Sequence, residues 1–367
     1  MFISILITIG IVAGIGGFLA LLLIIAESTL ANYGECTIMI NEKKELKVKG
    51  GSSLLNILNN NKIFLSSACG GRGSCGFCKC KVIEGGGPLL PTETPFLEED
   101  EKKNNVRLAC QVKVKQDIKI KIPADIFAVQ EFTGKVIKIQ DLTYDIKEIT
   151  IELTKPKEIE FQAGQFVQFV APRYEKSRQP VTRAYSISSS PDNKDYIKLI
   201  IKKVPDGLCT TYIHEYLKEG DTVIFTGPFG DFIIKDTQND MVFIAGGSGK
   251  APIISMLEYL NTHGSKRRLV YFFGARTKKD LYLTELFEKL EKELKDFTYV
   301  PTLSQPEENS DWKGKTGYIM AYLKEYIKDG AETEAYLCGS PGMIDAVQKK
   351  LVAIKISEDN IFYDSFN

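Results

Sequence analysis

The stretch CGGRGSCGFCKC, Cys69–Cys80, sets four cysteines within twelve residues, and its reading decides the architecture of the first part of the chain. Thiols this close hold a metal or a cluster, form disulfides, or act as a redox pair. Cys69, Cys75 and Cys78 are spaced C-x5-C-x2-C, and a further candidate ligand, Cys110, follows in RLACQVKV. Plant-type [2Fe–2S] loops read C-x4-C-x2-C followed by a distant cysteine; here the first gap is one residue longer. Gly70, Gly71, Gly73 and Gly76 supply the tight turns that aim backbone N–H groups at sulfur. A zinc ribbon, the alternative, would pair CxxC arms or use nearby histidine. A Rieske centre needs two histidines, and the only two here, His214 and His263, lie far along the chain. Cys80, two residues past Cys78, reads as a small buried apolar residue of a strand, and so do Cys36 and Cys209.

Around this stretch, 367 residues suffice for two or three domains. Forty-seven basic and 47 acidic residues cancel, so nothing here suggests nucleic-acid binding, which requires a basic stripe. Phe2–Ala26 contains no charged residue and is long enough to cross a bilayer, which takes about 20 apolar residues. It lacks the basic start of a signal peptide and exceeds the length of its apolar core, so residues 1–27 are expected to form a single membrane anchor. Lys43, Lys44 and Lys47 follow it, which predicts a cytoplasmic body. Reduced thiols, not a disulfide framework, follow from that compartment.

Three domains are expected after the anchor. Residues 35–125 read as a small α+β domain: strands at Thr37–Ile40 and Lys44–Lys49, a short helix at Ser53–Asn59, the cysteine loop, a glycine turn at 85–87 and an alternating strand pattern over Arg107–Ile122. Residues 130–234 carry six short strands (Gly134–Ile139, Ile146–Leu153, Phe166–Phe169, Arg183–Ile187, Tyr196–Lys202, Thr222–Thr226) and one helix, Thr210–Leu217. That pattern predicts a closed antiparallel barrel. Residues 238–367 alternate strand and helix, predicting a Rossmann-like parallel sheet with helices on both faces; the helices are expected from Pro252, over Leu281–Leu294, near Ile319–Ile327 and from Gly342.

Polar groups and glycines mark the binding elements of the last two domains. In TRAYSISSSP, Arg183 and Ser186 are donors and Tyr185 an aromatic wall on one strand. Gly207 precedes a helix start at Thr210 and Thr211, where free N–H groups favour phosphate. Gly227 opens the turn GPFG. AGGSGKAP, with Gly246, Gly247 and Gly249, follows a strand and opens a helix, a phosphate cradle that is neither G-x-G-x-x-G nor Walker A. Cys338 in CGSP ends another strand on the same side of the sheet.

The order ACGGRGSCGFC, RLACQVKV, RAYS, GPFG, GGSGKAP, GAR and CGSPGM resembles the F subunits of Na+-translocating NADH:quinone reductases, within the ferredoxin–NAD(P) reductase superfamily. The resemblance implies a β-grasp ferredoxin domain, an FAD barrel and an NAD domain. It implies that Cys69, Cys75, Cys78 and Cys110 ligate a [2Fe–2S] cluster, and that Arg183, Tyr185, Ser186, Gly207, Thr210, Thr211 and Gly227 serve FAD. Gly246, Gly247, Gly249 and Cys338 would serve the nicotinamide nucleotide, with Phe366 covering the flavin until NADH displaces it. Lys250 departs from the family, which carries an apolar residue there. The implied activity passes electrons from NADH through FAD and the cluster to membrane subunits of a quinone reductase complex that exports Na+ at a bacterial inner membrane. A reductase feeding an oxygenase is the alternative enzyme, and a membrane-bound metal-binding adaptor the alternative without catalysis. Arg276, Lys278 and Lys279 after the second strand would also suit the 2′-phosphate of NADPH, so the donor stays open on residues alone.

Overall fold

The computed structural model describes residues 2–30, 33–307 and 311–366, and its chain divides into two compact units that meet in sequence at Ala128 and Val129. It begins with one long helix, α1 (Phe2–Leu30). Every residue from 7 to 22 is exposed, including Ile7, Ile11, Phe18 and Leu22, so over these described residues the helix surface is largely apolar and uncovered. Among the residues whose side chains are described, no helix is long and apolar enough to cross a membrane; for α1 those residues are 7–22 alone.

The rest of the first unit is a mixed sheet with one helix on it. β1 (Glu35–Ile40) and β2 (Lys44–Lys49) form a hairpin. α2 (Leu54–Asn60) starts at Ser53, whose hydroxyl accepts the Asn56 N–H at 3.3 Å, an N-cap of the usual kind. β3 (Lys79–Glu84), α3 (Glu99–Lys103), β4 (Val106–Leu108) and β5 (Ile118–Lys121) follow. The strand order is β2-β1-β5-β3-β4, with β1 and β5 parallel. α2 buries Leu54, Leu55, Ile57 and Leu58 in a core shared with Ile38, Ile40, Ile118 and Ile120. The single strand expected over Arg107–Ile122 is corrected to two short ones. The chain leaves the sheet after Leu108, and Val112 and Val114 are buried beside the start of α2, where their carbonyls accept the N–H groups of Leu54 and Gly51 at 2.8 and 2.7 Å. Alternation there reflects burial without a ladder.

A buried ion pair closes this unit. The Arg107 guanidinium meets the fully buried Glu93 carboxylate at 2.6 Å and also donates to the carbonyls of Gly86 and Gly87 at 3.0 and 2.9 Å. Glu93 further accepts the N–H groups of Leu90 and Leu108 at 3.0 and 2.9 Å. All four partners are satisfied, which a buried charge pair requires.

In the second unit β6 (Gln130–Asp141), β7 (Ile146–Lys155), β8 (Phe166–Ala171), β9 (Val181–Ser186), β10 (Tyr196–Lys202) and β11 (Thr222–Phe229) make an antiparallel sheet in the order β10-β7-β6-β11-β8-β9. An Ile187–Leu199 bridge joins its two ends and closes the barrel. Val136, Ile149, Ile151, Val167, Phe169, Ile197 and Phe225 fill it. The helix expected over Thr210–Leu217 starts earlier, as α4 (Leu208–Thr211), and widens into a π-type turn at Tyr212–Tyr216.

β12 (Asp240–Gly246), α5 (Lys250–His263), β13 (Leu269–Ala275), α6 (Thr284–Glu293), β14 (Phe297–Leu303), β15 (Lys315–Thr316), α7 (Leu323–Tyr326), β16 (Thr333–Gly339), α8 (Pro341–Ala353) and β17 (Ile361–Ser365) complete the chain. The sheet is parallel throughout, ordered β15-β14-β13-β12-β16-β17. Phe243, Tyr271 and Phe273 face α5 and α6, while Val242, Ile244, Val270 and Phe272 share a core with α7 and α8. The helix expected near Ile319–Ile327 is two separate turns, Ile319–Ala321 and Leu323–Tyr326. Barrel and lobe share a core, since Ile146, Ala163 and Ile200 pack with residues of α5, and Ser255 donates to the Ser189 carbonyl at 2.7 Å. The strand order reverses between β12 and β16, the switch point where open parallel sheets bind ligands.

Candidate functional site

In the first unit Cys69 and Cys75 stand with their sulfurs 3.4 Å apart, and the Cys78 thiol is hydrogen-bonded to Cys110. The four sequence-selected thiols are thus brought together as two pairs. Among the described residues no three ligating side chains gather as a site for a single metal ion. The loop lies where β3 and β4 hold it, because the Ala109 N–H donates to the Cys78 carbonyl at 2.8 Å and sets Cys110 beside Cys78. Gly70, Gly71, Gly73 and Gly76 all take positive φ, between 67° and 85°, a region that other residues resist. At Gly73 a Cβ would also stand 2.5 Å from the Gln111 amide. Backbone N–H groups of Arg72 and Ser74 reach the Cys69 sulfur, that of Phe77 reaches Cys75, and that of Gly73 reaches Cys110. The Cys75 thiol, followed by these N–H groups, pulls Cys69 down to about 3, and Cys78 lowers Cys110 to about 7. Cys75 and Cys78 are pushed up as the donors of each pair. Cys80 is buried in the core, and burial raises its thiol to about 12.

In the second unit the glycine turn after β12 packs directly on the end of β16. A Cβ on Gly249 would lie 2.2 Å from the Cys338 carbonyl oxygen, so only glycine permits this approach. Gly246 lies under Met343, and Gly247 adopts φ +57°. Cys338 is fully buried, and burial holds its thiol well above the usual range. Phe366 donates its N–H to the Gly339 carbonyl at 2.9 Å and packs, half-buried, against the lobe's core. On the barrel, Arg183 donates to the Thr182 carbonyl at 2.6 Å. Tyr185 is half-buried with its hydroxyl buried beside the Cys209 thiol. Burial, and secondarily that thiol, raises the phenol well above its normal value. Gly207 caps α4, and the Thr210 hydroxyl folds back onto the carbonyl of Gly207 at 3.1 Å and the N–H of Val204 at 3.2 Å, while Thr211 is buried beside it. Gly227 lies tight against Val167.

Sequence reasoning missed Asp364. The register of β16 and β17 sets it opposite Cys338, and its carboxyl reaches toward the buried Ser186 hydroxyl of the barrel. Desolvation lifts that carboxyl to about 6, against the smaller opposing effect of Ser186. Asp364 lies two residues before Phe366, and its place beside Cys338 follows from strand register alone. The three basic residues after β13 are each met by an acid: Arg276 by Asp280 at 3.7 Å, Lys278 by Asp311 at 2.8 Å and Lys279 by Glu307 at 3.3 Å.

Comparison with known proteins agrees with this arrangement. Residues 38–115 match the 2Fe-2S iron-sulfur cluster binding domain, 133–234 the oxidoreductase FAD-binding domain and 243–349 the oxidoreductase NAD-binding domain. Among solved structures, the cytochrome P450 reductase of Amycolatopsis is similar at a TM-score of 0.73 and 25% identity, over 90% of this chain and 98% of that one. The ferredoxin reductase of carbazole 1,9a-dioxygenase gives 0.69 and 25%, over 91% and 99%. The F subunit of the Na(+)-translocating NADH-quinone reductase of Serratia proteamaculans is 36% identical over 96% of this chain and 97% of its own. That of Histophilus somni is 38% identical over 95% and 96%. The ferredoxin, FAD-binding and NAD-binding domains follow in the same order, and the chain belongs to the family of F subunits of the Na+-translocating NADH-quinone reductases.

Proposed function

We propose that the chain is the electron-input subunit of a membrane-bound bacterial quinone reductase, oxidising NADH and passing electrons to membrane subunits of the complex. The observation that carries this reading is the two-by-two pairing of thiols in a loop whose N–H groups face sulfur. A [2Fe–2S] cluster takes four cysteine thiolates over two irons, so Cys69 with Cys75 and Cys78 with Cys110 fit one iron each. FAD, once held by the barrel, would supply the means of taking a hydride from NADH and releasing its electrons one at a time toward a cluster.

The chain's own residues bind and orient. Arg183 would hold the flavin pyrophosphate, Ser186 and the half-buried Tyr185 would line the ring, and Gly207, Thr210, Thr211 and Gly227 would shape the phosphate side. Gly246, Gly247 and Gly249 let the nicotinamide nucleotide approach the sheet. Cys338, kept protonated by burial, offers a neutral wall at the end of β16, and Phe366 would cover a bound flavin until the nicotinamide displaced it. Asp364, whose carboxyl burial raises to about 6, holds a proton beside Cys338 and Ser186 below that pH and is mostly ionised at neutral pH. The acids that meet Arg276, Lys278 and Lys279 favour NADH, because they neutralise the charge a 2′-phosphate would need. The working domains on this reading are an anchor over 1–27, a ferredoxin over 35–125, a barrel over 130–234 and a nucleotide domain over 238–367. The uncovered apolar surface of α1 over residues 7–22 supports a single-pass anchor in the inner membrane, and Lys43, Lys44 and Lys47 after it support a body in the cytoplasm. One helix makes no sodium path, so Na+ export belongs to other subunits. The similarity to oxygenase reductases supports the second reading, a reductase feeding an oxygenase.

Purified full-length protein in detergent should show flavin and iron–sulfur absorption, oxidise NADH with ferricyanide and prefer NADH to NADPH. Removing residues 1–27 should move it from the membrane to the soluble fraction. Cys75→Ala should abolish the cluster bands and leave flavin reduction by NADH intact. Absence of both chromophores, or loss of flavin reduction in a folded Cys75→Ala protein, would overturn the reading. Turnover with an oxygenase partner but none with quinone-reductase membranes would favour the second one.

A further inference from the structure

Lys250, the first residue of α5, is fully buried. Its amine donates to the Tyr282 carbonyl at 2.6 Å and lies 3.6, 4.3 and 4.8 Å from the ring centres of Phe273, Tyr282 and Phe287. The Tyr282 hydroxyl returns to the glycine turn, donating to the Gly247 carbonyl at 2.7 Å. That same carbonyl accepts the backbone N–H of Lys250. Lys250, Tyr282 and Gly247 therefore form a closed ring of three hydrogen bonds. The ring fixes a glycine with φ +57° on one side and precedes Leu283, a non-glycine residue at φ +53°, on the other. Leu283 bears a steric cost for its conformation, and Gly247, free to take either sign of φ, needs an outside contact to hold it in one. An apolar side chain of equal length would fill the aromatic cage yet take the amine away from the Tyr282 carbonyl.

We propose that Lys250 is a positioning residue for the nicotinamide nucleotide: through Tyr282 it holds the Gly247 carbonyl, and so fixes the glycine turn in its receiving form before the nucleotide arrives. This rests on the reading that Gly246–Gly249 receives NADH. The amine donates to the carbonyl in either protonation state, so the clamp does not depend on its charge. It acts on binding, and raises affinity by removing the ordering cost of a turn that would otherwise close around the ligand.

The test uses full-length holoprotein in detergent, with ADP-ribose as a non-reactive probe titrated by calorimetry, and amide exchange across 246–250 as a second readout. Lys250→Met and Tyr282→Phe are each expected to weaken ADP-ribose about fivefold, to speed exchange in the turn, and to raise KM for NADH while kcat changes little. The double variant is expected to be no weaker than either single, because both cut the same ring. The melting temperature of Lys250→Met should not fall, since a desolvated amine is replaced by an apolar chain; a merely structural lysine would lower it and leave affinity alone. Wild-type affinity in Tyr282→Phe, or a double variant weaker by the product of the singles, about 25-fold, overturns the proposal, and Tyr282→Phe decides it even if Lys250→Met fails to fold. Gly247→Ala separates the two readings. If it too binds normally, the glycine turn is not the nucleotide site; if it alone weakens binding, the site stands and the clamp falls.

Discussion

Arg107 in the ferredoxin unit and Lys250 in the nucleotide lobe are both buried basic side chains, and their surroundings differ in kind. Arg107 has a carboxylate, Glu93, in a forked contact, and two further carbonyls. Lys250 has one carbonyl and aromatic rings. The guanidinium's planar fork can be saturated by a loop and a strand end at once, whereas the ammonium is a point donor on a flexible stem. A buried charge that others depend on for neutrality is irreplaceable; a buried amine whose value lies in one hydrogen bond can be replaced without unfolding the protein. Asp364 lies between the two cases, with a hydroxyl and a thiol nearby and its proton as the means of neutralising itself.

The comparison breaks most severely at Glu93. Glu93→Ala leaves Arg107 buried without its carboxylate and should cost about 3–5 kcal/mol, read as loss of iron–sulfur absorption and early unfolding of the ferredoxin unit in urea, with flavin retained. Asp364→Asn should act more weakly and with a pH signature. Burial holds the folded carboxyl at about 6 against an ordinary 3.8, so the folded protein binds this proton more tightly than the unfolded chain does. The stabilisation from protonation is complete below the unfolded value and is lost as the pH rises through 6. Asp364→Asn should therefore stabilise by about 2 kcal/mol at pH 8 and by little at pH 4, measured by thermal unfolding at both. Lys250→Met should change global stability by about 1 kcal/mol or less, in the stabilising direction, a result that sharpens the contrast with Glu93→Ala. Smallest of all is the exposed pair Lys119–Glu84 at 2.8 Å. Lys119→Ala should leave the melting temperature unchanged, because solvent screens an ion pair at the surface.

How much of this was legible in the sequence follows from how far apart the partners lie. The cluster loop reads directly, since a cluster demands cysteines and glycines within a few residues of one another. The glycine turn after β12 reads for the same reason. Barrel and parallel sheet were visible as period-2 strands and as apolar runs alternating with helices. Arg107–Ile122 misled because Val112 and Val114 alternate as a strand does, yet are buried against the start of α2. The short strand Lys315–Thr316 pairs only two residues and has no pattern to find. The cage of Lys250 draws its rings from three further segments, at Phe273, Tyr282 and Phe287, so its lysine looked like a substitution without a purpose. Asp364 is defined by register across two parallel strands, a relation that a linear reading does not contain.

The grip of Arg107 on Gly86 and Gly87 bears on how the cluster loop is held. Its fork bolts the end of the β3 turn to the strand that leads into Cys110, and none of the groups in that bolt is a thiol. Part of the frame around the four sulfurs is therefore held by nitrogen and oxygen contacts alone. Damage to this bolt reaches the cluster loop through the backbone of β4, so the loop inherits the stability of an ion pair that never touches its sulfurs.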